Sequence, residues 1–156
     1  MVSPEVLRKF PFFGFLDGEA LSQVAMLAEE VPVEPGEDIF EAGQLADALY
    51  LLMSGRVELT TDSYDPIFRP DLRRSYLVGE INPGEAFGLS SVIPPYQLNA
   101  GARATEAGAV LRMDARKLRR LMEDDPRFSC GLYRHICEAL IERLHYTRVQ
   151  LAAARV

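Results

Sequence analysis

Apolar residues change their spacing twice along the chain. Over residues 17–30 they recur at helical intervals, which predicts one amphipathic helix. The residues of this stripe are Leu21, Val24, Ala25 and Ala28. Over residues 31–113 the apolar stretches are short and are separated by Gly and Pro, which predicts strands joined by turns. Beyond Asp114 the helical interval returns, so the pattern predicts a mainly β domain with helices at both ends.

The most specific pattern lies between Gly36 and Leu59. Glycines stand at turn positions between short apolar stretches, and glycine readily adopts the positive φ angles that tight β connections need. The glycines are Gly36, Gly43 and Gly55, and the apolar stretches are Ile39–Phe40, Leu49–Met53, and Val57 with Leu59. This order predicts a small antiparallel β-roll.

The second half of the predicted roll follows a long connection. Residues 61–74 are rich in Pro, Asp and Arg and form a longer link than a tight hairpin needs, so we expect an exposed loop. Further strands are predicted at Ser75–Ile81, Ala86–Phe87, Ala100–Ala104 and Ala109–Met113. Small residues at every second position from Ala100 to Ala104 suit a strand packed closely against a neighbour. In total we expect about eight short strands.

Capping signals place two helices after the roll. Asp114 can cap a first helix, and Asp125 followed by Pro126 at the first helical position begins a long last helix to about Ala153. Every fourth residue along the last helix is apolar, at Phe128, Leu132, Ile136, Leu140 and Leu144. This stripe predicts a helix that packs along one face.

The composition fits one globular domain. The chain has 156 residues, of which 48% are hydrophobic and 26% charged. We divide this single domain into N-terminal helices (1–30), a β-roll (31–113) and C-terminal helices (114–156). No apolar run approaches the roughly 20 residues that cross a bilayer, and the first segment does not read as a secretory signal. We therefore expect a cytoplasmic protein without membrane insertion.

The glycine and strand order of residues 36–59 resembles the signature of the cyclic-nucleotide-binding domain family, which includes catabolite-activator-like sensors. The resemblance extends from Leu7 to about Leu151. It implies a double-stranded β-helix, or jelly roll, with flanking helices and a long C-terminal helix. It also implies a ligand-sensing regulatory module, which relays pocket occupancy through that helix to a partner or a dimer mate.

In this family the ligand sits against a short helix and loop, which match residues 84–104 here and are called the cassette below. The family places a Glu for the ribose hydroxyl after Phe-Gly, and an Arg followed by Ser or Thr about ten residues later. This chain has Leu89 in the Glu position, Leu98 in the Arg position and Asn99 in the Ser/Thr position. The loss of both charged contacts is expected to cost about 3 to 5 kcal/mol, which makes ordinary cyclic AMP binding weak.

The backbone of the cassette still offers N–H groups to an anion. The resemblance implies a ligand site formed by Phe87, Gly88, Leu89, Ser90, Ser91, Leu98, Asn99 and Ala100. No cofactor is required, and the ligand is either a cyclic nucleotide or another small anion. The two leucines suit an aromatic or aliphatic ligand with one acidic group. Equally, they can close the pocket, which would leave a non-binding dimerisation or scaffold domain.

Other arginines are weaker candidates for the missing phosphate contact. Strand alternation should point Arg103 away from the face that Leu98 and Ala102 share. Three more arginines lie on the predicted loop and could fold over the pocket mouth, namely Arg69, Arg73 and Arg74. A solvated surface position is the ordinary expectation for all four.

Charge and motifs exclude other classes of function. Seventeen Lys and Arg against 23 Asp and Glu give a net charge of −6, which disfavours a nucleic-acid partner. The only histidines, His135 and His145, lie on the last helix, so we expect no metal centre in the roll. Ser90 and Ser91 lack the Gly-x-Ser-x-Gly elbow, and no nucleotide-binding fingerprint occurs. We therefore predict a binding module and not an enzyme.

The last helix has more apolar residues than packing on the roll needs. We predict a homodimer through Phe128 to Leu151, with a monomer as the alternative, and an unidentified downstream protein as a further partner. The chain ends just after this helix, without a helix-turn-helix segment, so we expect no direct DNA binding. Cys130 and Cys137 share one helical face, and they are either small buried apolar residues or form a disulfide across the dimer.

Overall fold

The computed structural model describes the backbone of residues 1–65 and 69–155, and the side chains of residues 1–61 and 75–155. The N-terminal part contains α1 (Pro4–Arg8), a 3₁₀ turn (Pro11–Phe13) and α2 (Gly18–Leu27). The strands are β1 (Ala28–Val33), β2 (Asp38–Phe40), β3 (Ala48–Asp65), β4 (Arg69–Ile81), β5 (Ala86–Phe87) and β6 (Gly101–Asp114). A 3₁₀ helix (Leu89–Val92) follows β5, and α3 (Ala115–Asp124) and α4 (Pro126–Ala154) end the chain.

The strands form one antiparallel sheet in the order β1-β6-β3-β4, with β2 also paired to β6 and β5 paired to β3. The long strands β3 and β6 run side by side from Ala48 opposite Asp114 to Thr60 opposite Gly101, with irregular register between them. The predicted fold class, an antiparallel roll with flanking helices and a long C-terminal helix, is confirmed.

Strand β3 separates two hydrophobic cores. Leu49 and Leu51 point to the helices and join the helix-side core, whereas Tyr50 and Leu52 point into the roll and join the roll core. This division follows from the alternation of side chains along a strand. The helix-side core also contains Leu7, Val24, Leu111, Met113, Leu118, Phe128, Leu132 and Ile136. The roll core also contains Val57, Ile81, Phe87, Ala102, Ala104 and Val110.

Aspartate caps begin the helices that the sequence predicts. The carboxylate of Asp17 accepts a hydrogen bond from the amide of Ala20 at 2.8 Å, and that of Asp114 accepts one from Lys117 at 2.9 Å. Asp125 caps α4, with Pro126 in its first turn. These bonds satisfy amides that have no partner within the helix. The predicted starts of α3 and α4 are therefore confirmed.

The boundary between α2 and β1 differs from the prediction. The helix ends at Leu27, and residues 28–30, which the helical spacing assigns to it, belong to β1. Ala28 pairs with Met113 of β6 and is buried. An apolar residue at this position fits either periodicity, and pairing with the sheet decides the outcome.

The predicted exposed loop at residues 61–74 is wrong for the part that the structure describes. Thr61–Asp65 continues β3, and the backbone from Arg69 onwards pairs with it in β4. Residues 61–65 do not alternate apolar and polar side chains, so periodicity gave no signal for this pairing. The side chains of Arg69, Arg73 and Arg74 lie outside the described residues, and so does their predicted role at the pocket mouth.

The predicted strands at Ala100–Ala104 and Ala109–Met113 are parts of one strand, β6. Register shifts occur between them, opposite Ser54 and Arg56 of β3. The described ranges therefore contain six strands instead of about eight. Ala102 and Ala104 are buried, as their two-residue spacing predicts.

Helix α4 is buried only along its first half. Phe128, Leu132 and Ile136 are in the core, whereas Leu140 and Leu144, which continue the same stripe, are 44% and 48% exposed. The expectation that both cysteines are buried is wrong, because Cys130 and Cys137 are exposed and free. None of the helices in the described ranges combines the length and apolar character that crossing a bilayer requires.

Candidate ligand site

A sharp turn leads from β5 into the 3₁₀ helix of the cassette. Gly88 has φ 70° and ψ 35°, a left-handed conformation that glycine adopts without steric cost. A Cβ at this position would lie 3.1 Å from Cδ2 of Tyr50 and 3.2 Å from the carbonyl oxygen of Ala48. Both the backbone and the neighbouring ring therefore require glycine at residue 88.

The first group of predicted site residues is mostly buried. Phe87 lies in the roll core, but Leu89 packs into the helix-side core and so lies on the other side of the sheet. Ser90 is partly exposed. Ser91 is completely buried, and its hydroxyl has no hydrogen-bond partner among the described residues. The leucine in the position of the family's Glu is therefore part of the helix packing.

The second group of predicted site residues lies on a different segment. Leu98 is 7% exposed, and its backbone is bonded to residues 43–44: its carbonyl accepts from Gly43 at 2.7 Å and its amide donates to Gln44 at 2.9 Å. Asn99 is exposed and Ala100 is partly exposed. Leu98 therefore belongs to a paired backbone segment.

Three aromatic rings fill the roll core beside Gly88. The centroids of Tyr50 and Phe87 are 5.2 Å apart in a stacked arrangement, and Phe40 lies 5.7 Å from Tyr50 and 6.0 Å from Phe87. Burial raises the pKa of Tyr50, an effect that Arg112 partly opposes. This part of the roll presents an apolar, aromatic interior next to the cassette.

Arg119 of α3 joins the first group of predicted site residues to the segment that precedes β3. Its Nε donates to the carbonyl of Ser91 at 2.7 Å, and its Nη2 donates to the carbonyl of Ala46 at 3.0 Å. Its guanidinium carbon lies 3.7 Å from the ring centroid of Tyr96. Sequence reasoning missed this residue.

Helix α4 holds the cassette as well. The hydroxyl of Tyr133 donates to the carbonyl of Val92 at 3.1 Å. The 3₁₀ helix is therefore tied through its main chain to α3 by Arg119 and to α4 by Tyr133.

Arg103 lies on the surface and pairs with Asp38 at 2.8 Å. The hydrogen bond from Arg103 lowers the pKa of Asp38. Both side chains are about half exposed, at 55% and 47%. The expectation that Arg103 points away from the cassette interior is confirmed.

A cavity of about 550 Å³ lies between β4, the β4–β5 turn and α4. Its apolar wall includes Phe12, Leu59, Val78 and Ala139. None of the predicted site residues lines it. The structure therefore offers a second candidate place for a small molecule.

Arg143 of α4 lines this cavity. Its Nη2 donates to the carbonyl of Ala86, and its Nε is buried without a hydrogen-bond partner in the described part of the chain. Burial lowers the pKa of Arg143, and the charges of Glu85 and Glu142 oppose that effect. No carboxylate of the described residues forms an ion pair with it within 4.0 Å. Arg143 stands seven residues, or about two helical turns, after the buried Ile136. A charged residue on the face of α4 that packs against the roll was the signal from which this site could have been found.

In the described part of the chain, no group of three or more His, Cys, Asp or Glu side chains is placed to hold a metal ion. Nδ1 of His135 lies 2.9 Å from the carbonyl oxygen of Gly131, and its ring lies 4.7 Å from that of Phe15. Packing accounts for this histidine.

Comparisons with known proteins agree with the fold. The cyclic nucleotide-binding domain matches residues 30–125. A solved candidate cyclic nucleotide-binding protein from Geobacter metallireducens is 34% identical with a TM-score of 0.79, and the match covers 93% of this chain and 100% of that one. A CRP-like, cAMP-activated global transcriptional regulator from Mycobacterium tuberculosis is 26% identical over 148 residues, 95% of this chain and 61% of the regulator.

An uncharacterised NTE family protein from Mycobacterium bovis is 27% identical over 134 residues, which are 86% of this chain and 21% of that protein. The chain thus spans only part of the length of these curated relatives. The roll, the turn at Gly88 and the long last helix define a regulatory domain of the sensor type. The chain belongs to the cyclic nucleotide-binding domain family.

Proposed function

We propose that the domain senses a small ligand and transmits occupancy of its site through the cassette to α4, and from there to a second copy of the chain. The observation that carries this proposal is the pair of main-chain bonds to the 3₁₀ helix. Arg119 of α3 holds Ser91, and Tyr133 of α4 holds Val92. A ligand that displaces this helix must either move α3 and α4 with it or break both bonds.

This coupling needs two arrangements of the cassette with different ligand affinity. A hydrogen bond from a charged group such as Arg119 contributes about 1.5 to 3 kcal/mol, and one from a neutral hydroxyl contributes about 1 kcal/mol. These energies are of the size of a typical allosteric coupling, which is about 1 to 3 kcal/mol. The bonds are therefore strong enough to carry a regulatory signal.

The outer face of α4 supports the homodimer. Exposed residues recur along it at alternating intervals of three and four, the spacing of a two-helix seam. They are Cys130, Tyr133, Cys137, Leu140, Leu144, Thr147 and Leu151. A second copy related by a two-fold axis would cover this face with the same face of its own α4.

Light scattering at micromolar concentration tests the seam. The wild type is expected at twice 17.4 kDa. Leu144→Glu places a charge in the seam and is expected to give the monomer. Met26→Glu is the matched control, because Met26 is exposed at 68% on α2, and this variant should remain a dimer. If the wild type is monomeric at every concentration, the proposed transmission to a second copy of the chain is contradicted.

Oxidation with diamide tests the orientation of the two helices. In a parallel, in-register pair, Cys137 faces Cys137 of the other copy, so two thiols are oxidised to one disulfide while diamide is reduced to the hydrazine. The Cys130→Ser variant is expected to cross-link, and the variant lacking both cysteines is not. Absence of cross-linking in a proven dimer would point to an antiparallel pair.

Hydrogen exchange tests the relay. A thermal-shift screen with cyclic AMP, cyclic GMP, cyclic dinucleotides and small aromatic acids first finds a ligand, since saturation at 100 times Kd adds about 2.7 kcal/mol of stability. That ligand is then expected to change exchange along α4 in the wild type and in Arg120→Met. In Arg119→Met it should still bind but change α4 less. If the ligand changes hydrogen exchange along α4 equally in Arg119→Met and in the wild type, the bonds of Arg119 do not transmit the signal.

The packed roll core favours a second candidate function. Phe40, Tyr50 and Phe87 occupy the interior beside Gly88, as a domain that no longer binds a ligand there would require. In that case the domain acts as a dimerisation or scaffold unit. A dimer that none of the screened compounds stabilises would support this second function over sensing.

A further inference from the structure

The cavity beneath α4 is lined by a cation that forms no ion pair within 4.0 Å with the described residues. Arg143 lines it, its Nε is buried without a partner, and its one described hydrogen bond goes to the carbonyl of Ala86. A buried charge without a counter-ion is costly to a folded protein. An acidic group at the inner end of the cavity would offset that cost through a charge-assisted hydrogen bond.

The cavity has the size and the walls of a small-molecule site. Its volume of about 550 Å³ lies within the roughly 300 to 1,000 Å³ typical of ligand pockets. Phe12, Val78 and Ala139 provide an apolar wall on which an aromatic or aliphatic body can rest. The site therefore combines one cation with an apolar surface.

The rim selects the charge of the ligand. Four carboxylates also line the cavity, those of Glu80, Glu85, Glu138 and Glu142. Glu85 already accepts a hydrogen bond from Asn82 at 3.2 Å. These negative charges would repel a dianion or a polyphosphate, whereas a single negative charge can be matched by Arg143.

We propose that the cavity beneath α4 binds a singly charged amphipathic anion, with its acidic group on Arg143 and its apolar body against Phe12, Val78 and Ala139. The inference adds a ligand class and a place for it to the proposed sensor, on which it rests for its regulatory meaning. The site adjoins the dimer seam and shares Thr147 with it. Successive residues turn by about 100° around a helix, so Leu144 lies about 100° from Arg143 around α4, whereas Leu140 lies only about 60° from it.

A pair of fluorescent probes that differ in one charged group tests this site. Anilinonaphthalene sulfonate carries an aromatic body and one sulfonate, and phenylnaphthylamine carries nearly the same body without the charge. Both are titrated into the wild type, Arg143→Met and Arg134→Met. Arg134 is exposed on the same helix and provides the matched control.

The sulfonate is expected to bind the wild type once per chain and Arg143→Met about tenfold more weakly or worse. The neutral probe should bind both within about twofold, and Arg134→Met should resemble the wild type for both probes. Equal sulfonate affinity in Arg143→Met, or an equal loss for both probes, would overturn the role of Arg143. Absence of saturable binding would overturn the site.

Two further variants keep the test decisive if Arg143→Met does not unfold cooperatively in urea. Arg143→Lys keeps the charge and is expected to retain part of the preference for the sulfonate. Ala139→Phe fills the cavity and should weaken both probes. If Ala139→Phe binds both probes as the wild type does, they bind elsewhere and the proposal fails.

Competition against the sulfonate distinguishes the sources of the acidic group. Decanoate, naphthoate and cyclic AMP represent aliphatic carboxylates, aromatic carboxylates and phosphodiesters, and at least one is expected to displace the probe. Inorganic phosphate should not, and displacement by phosphate alone would overturn the amphipathic class. Light scattering tests the homodimer independently of this result. If the protein is a monomer but the sulfonate still binds more weakly to Arg143→Met, the proposed homodimer is wrong and the ligand site is supported.

Discussion

The roll core beside Gly88 and the cavity beneath α4 differ in how their space is used. In the roll core, the ring centroids of Phe40, Tyr50 and Phe87 lie within 6.0 Å of one another, and a Cβ at Gly88 would lie 3.1 Å from the ring of Tyr50. Beneath α4, about 550 Å³ is open next to Arg143. The aromatic rings beside Gly88 are thus closely packed, whereas the cavity of about 550 Å³ lies beneath α4. A ligand site inferred from a family motif therefore has to be checked against packing.

The largest expected effect is a difference in the free energy of unfolding between a variant in the roll core and a variant in the cavity wall. Phe87→Ala should lower the free energy of unfolding by about 3 to 5 kcal/mol, because Phe87 is fully buried in the aromatic cluster. Val78→Ala in the cavity wall should cost about 1 kcal/mol or less, because Val78 is already 42% exposed. Urea unfolding measures both. Similar costs for the two variants would show that the roll core is loosely packed.

Two glycines with positive φ sharpen the comparison. Gly88 and Gly84 have φ of 70° and 91°, so alanine at either position should cost about 1 to 2 kcal/mol of backbone strain. Only Gly88 is crowded, whereas nothing lies within 4 Å of a Cβ at Gly84. Gly88→Ala should therefore cost about 1 kcal/mol more than Gly84→Ala in urea unfolding. Equal costs would mean that the rings of the roll core move aside freely.

The pH dependence of stability reports on burial in the roll core. Burial raises the pKa of Tyr50, so its neutral form favours the folded state. This contribution is complete below about pH 10, the pKa of an unfolded tyrosine, and is lost as the pH rises through the folded pKa. The wild type should therefore lose stability faster than Tyr50→Phe above pH 10. Parallel pH profiles would indicate that the phenol is solvated in the folded state.

The smallest expected effect is at Arg143. Arg143→Met loses one hydrogen bond but also removes a desolvated charge, so its stability should stay within about 1 kcal/mol of the wild type. Arg134→Met, an exposed change on the same helix, gives the baseline. A loss of several kcal/mol in Arg143→Met would indicate that this arginine is a structural support, and its place in the ligand site would need another explanation.

Local chemistry explains which parts of the fold could be predicted. The turn around Gly43 and the caps at Asp114 and Asp125 depend on neighbours in sequence, so their elements are where the pattern places them. The predicted turn at Gly55 is wrong, because Gly55 lies inside β3, where the register with β6 shifts. The sequence of Thr61–Asp65 does not alternate apolar and polar residues, so periodicity could not predict that this segment pairs with β4.

The contacts of the site were harder to predict for a different reason. Arg119 bonds to the carbonyls of Ser91 and Ala46, and Arg143 bonds to that of Ala86. Every residue has a carbonyl, so the sequence carries no signal for which one an arginine will reach. The residues Phe87 to Ser91 could be placed from the family motif, but the side of the sheet on which Leu89 packs could not.

The alternation along β3 has a consequence for how such a domain can diversify. Tyr50 and Leu52 serve one compartment, while Leu49 and Leu51 serve the other. This part of the strand therefore separates the two cores, and each of these four side chains belongs to one core alone. In the first part of β3, substitutions at Tyr50 or Leu52 act on the roll core, and those at Leu49 or Leu51 act on the helix-side core. Beyond the register shifts near Ser54 and Arg56 the rule changes, because Val57 packs in the roll core. Deleting a single residue just before Leu49 would turn the following side chains of β3 to the opposite face, so the residues of the two cores would be exchanged at once.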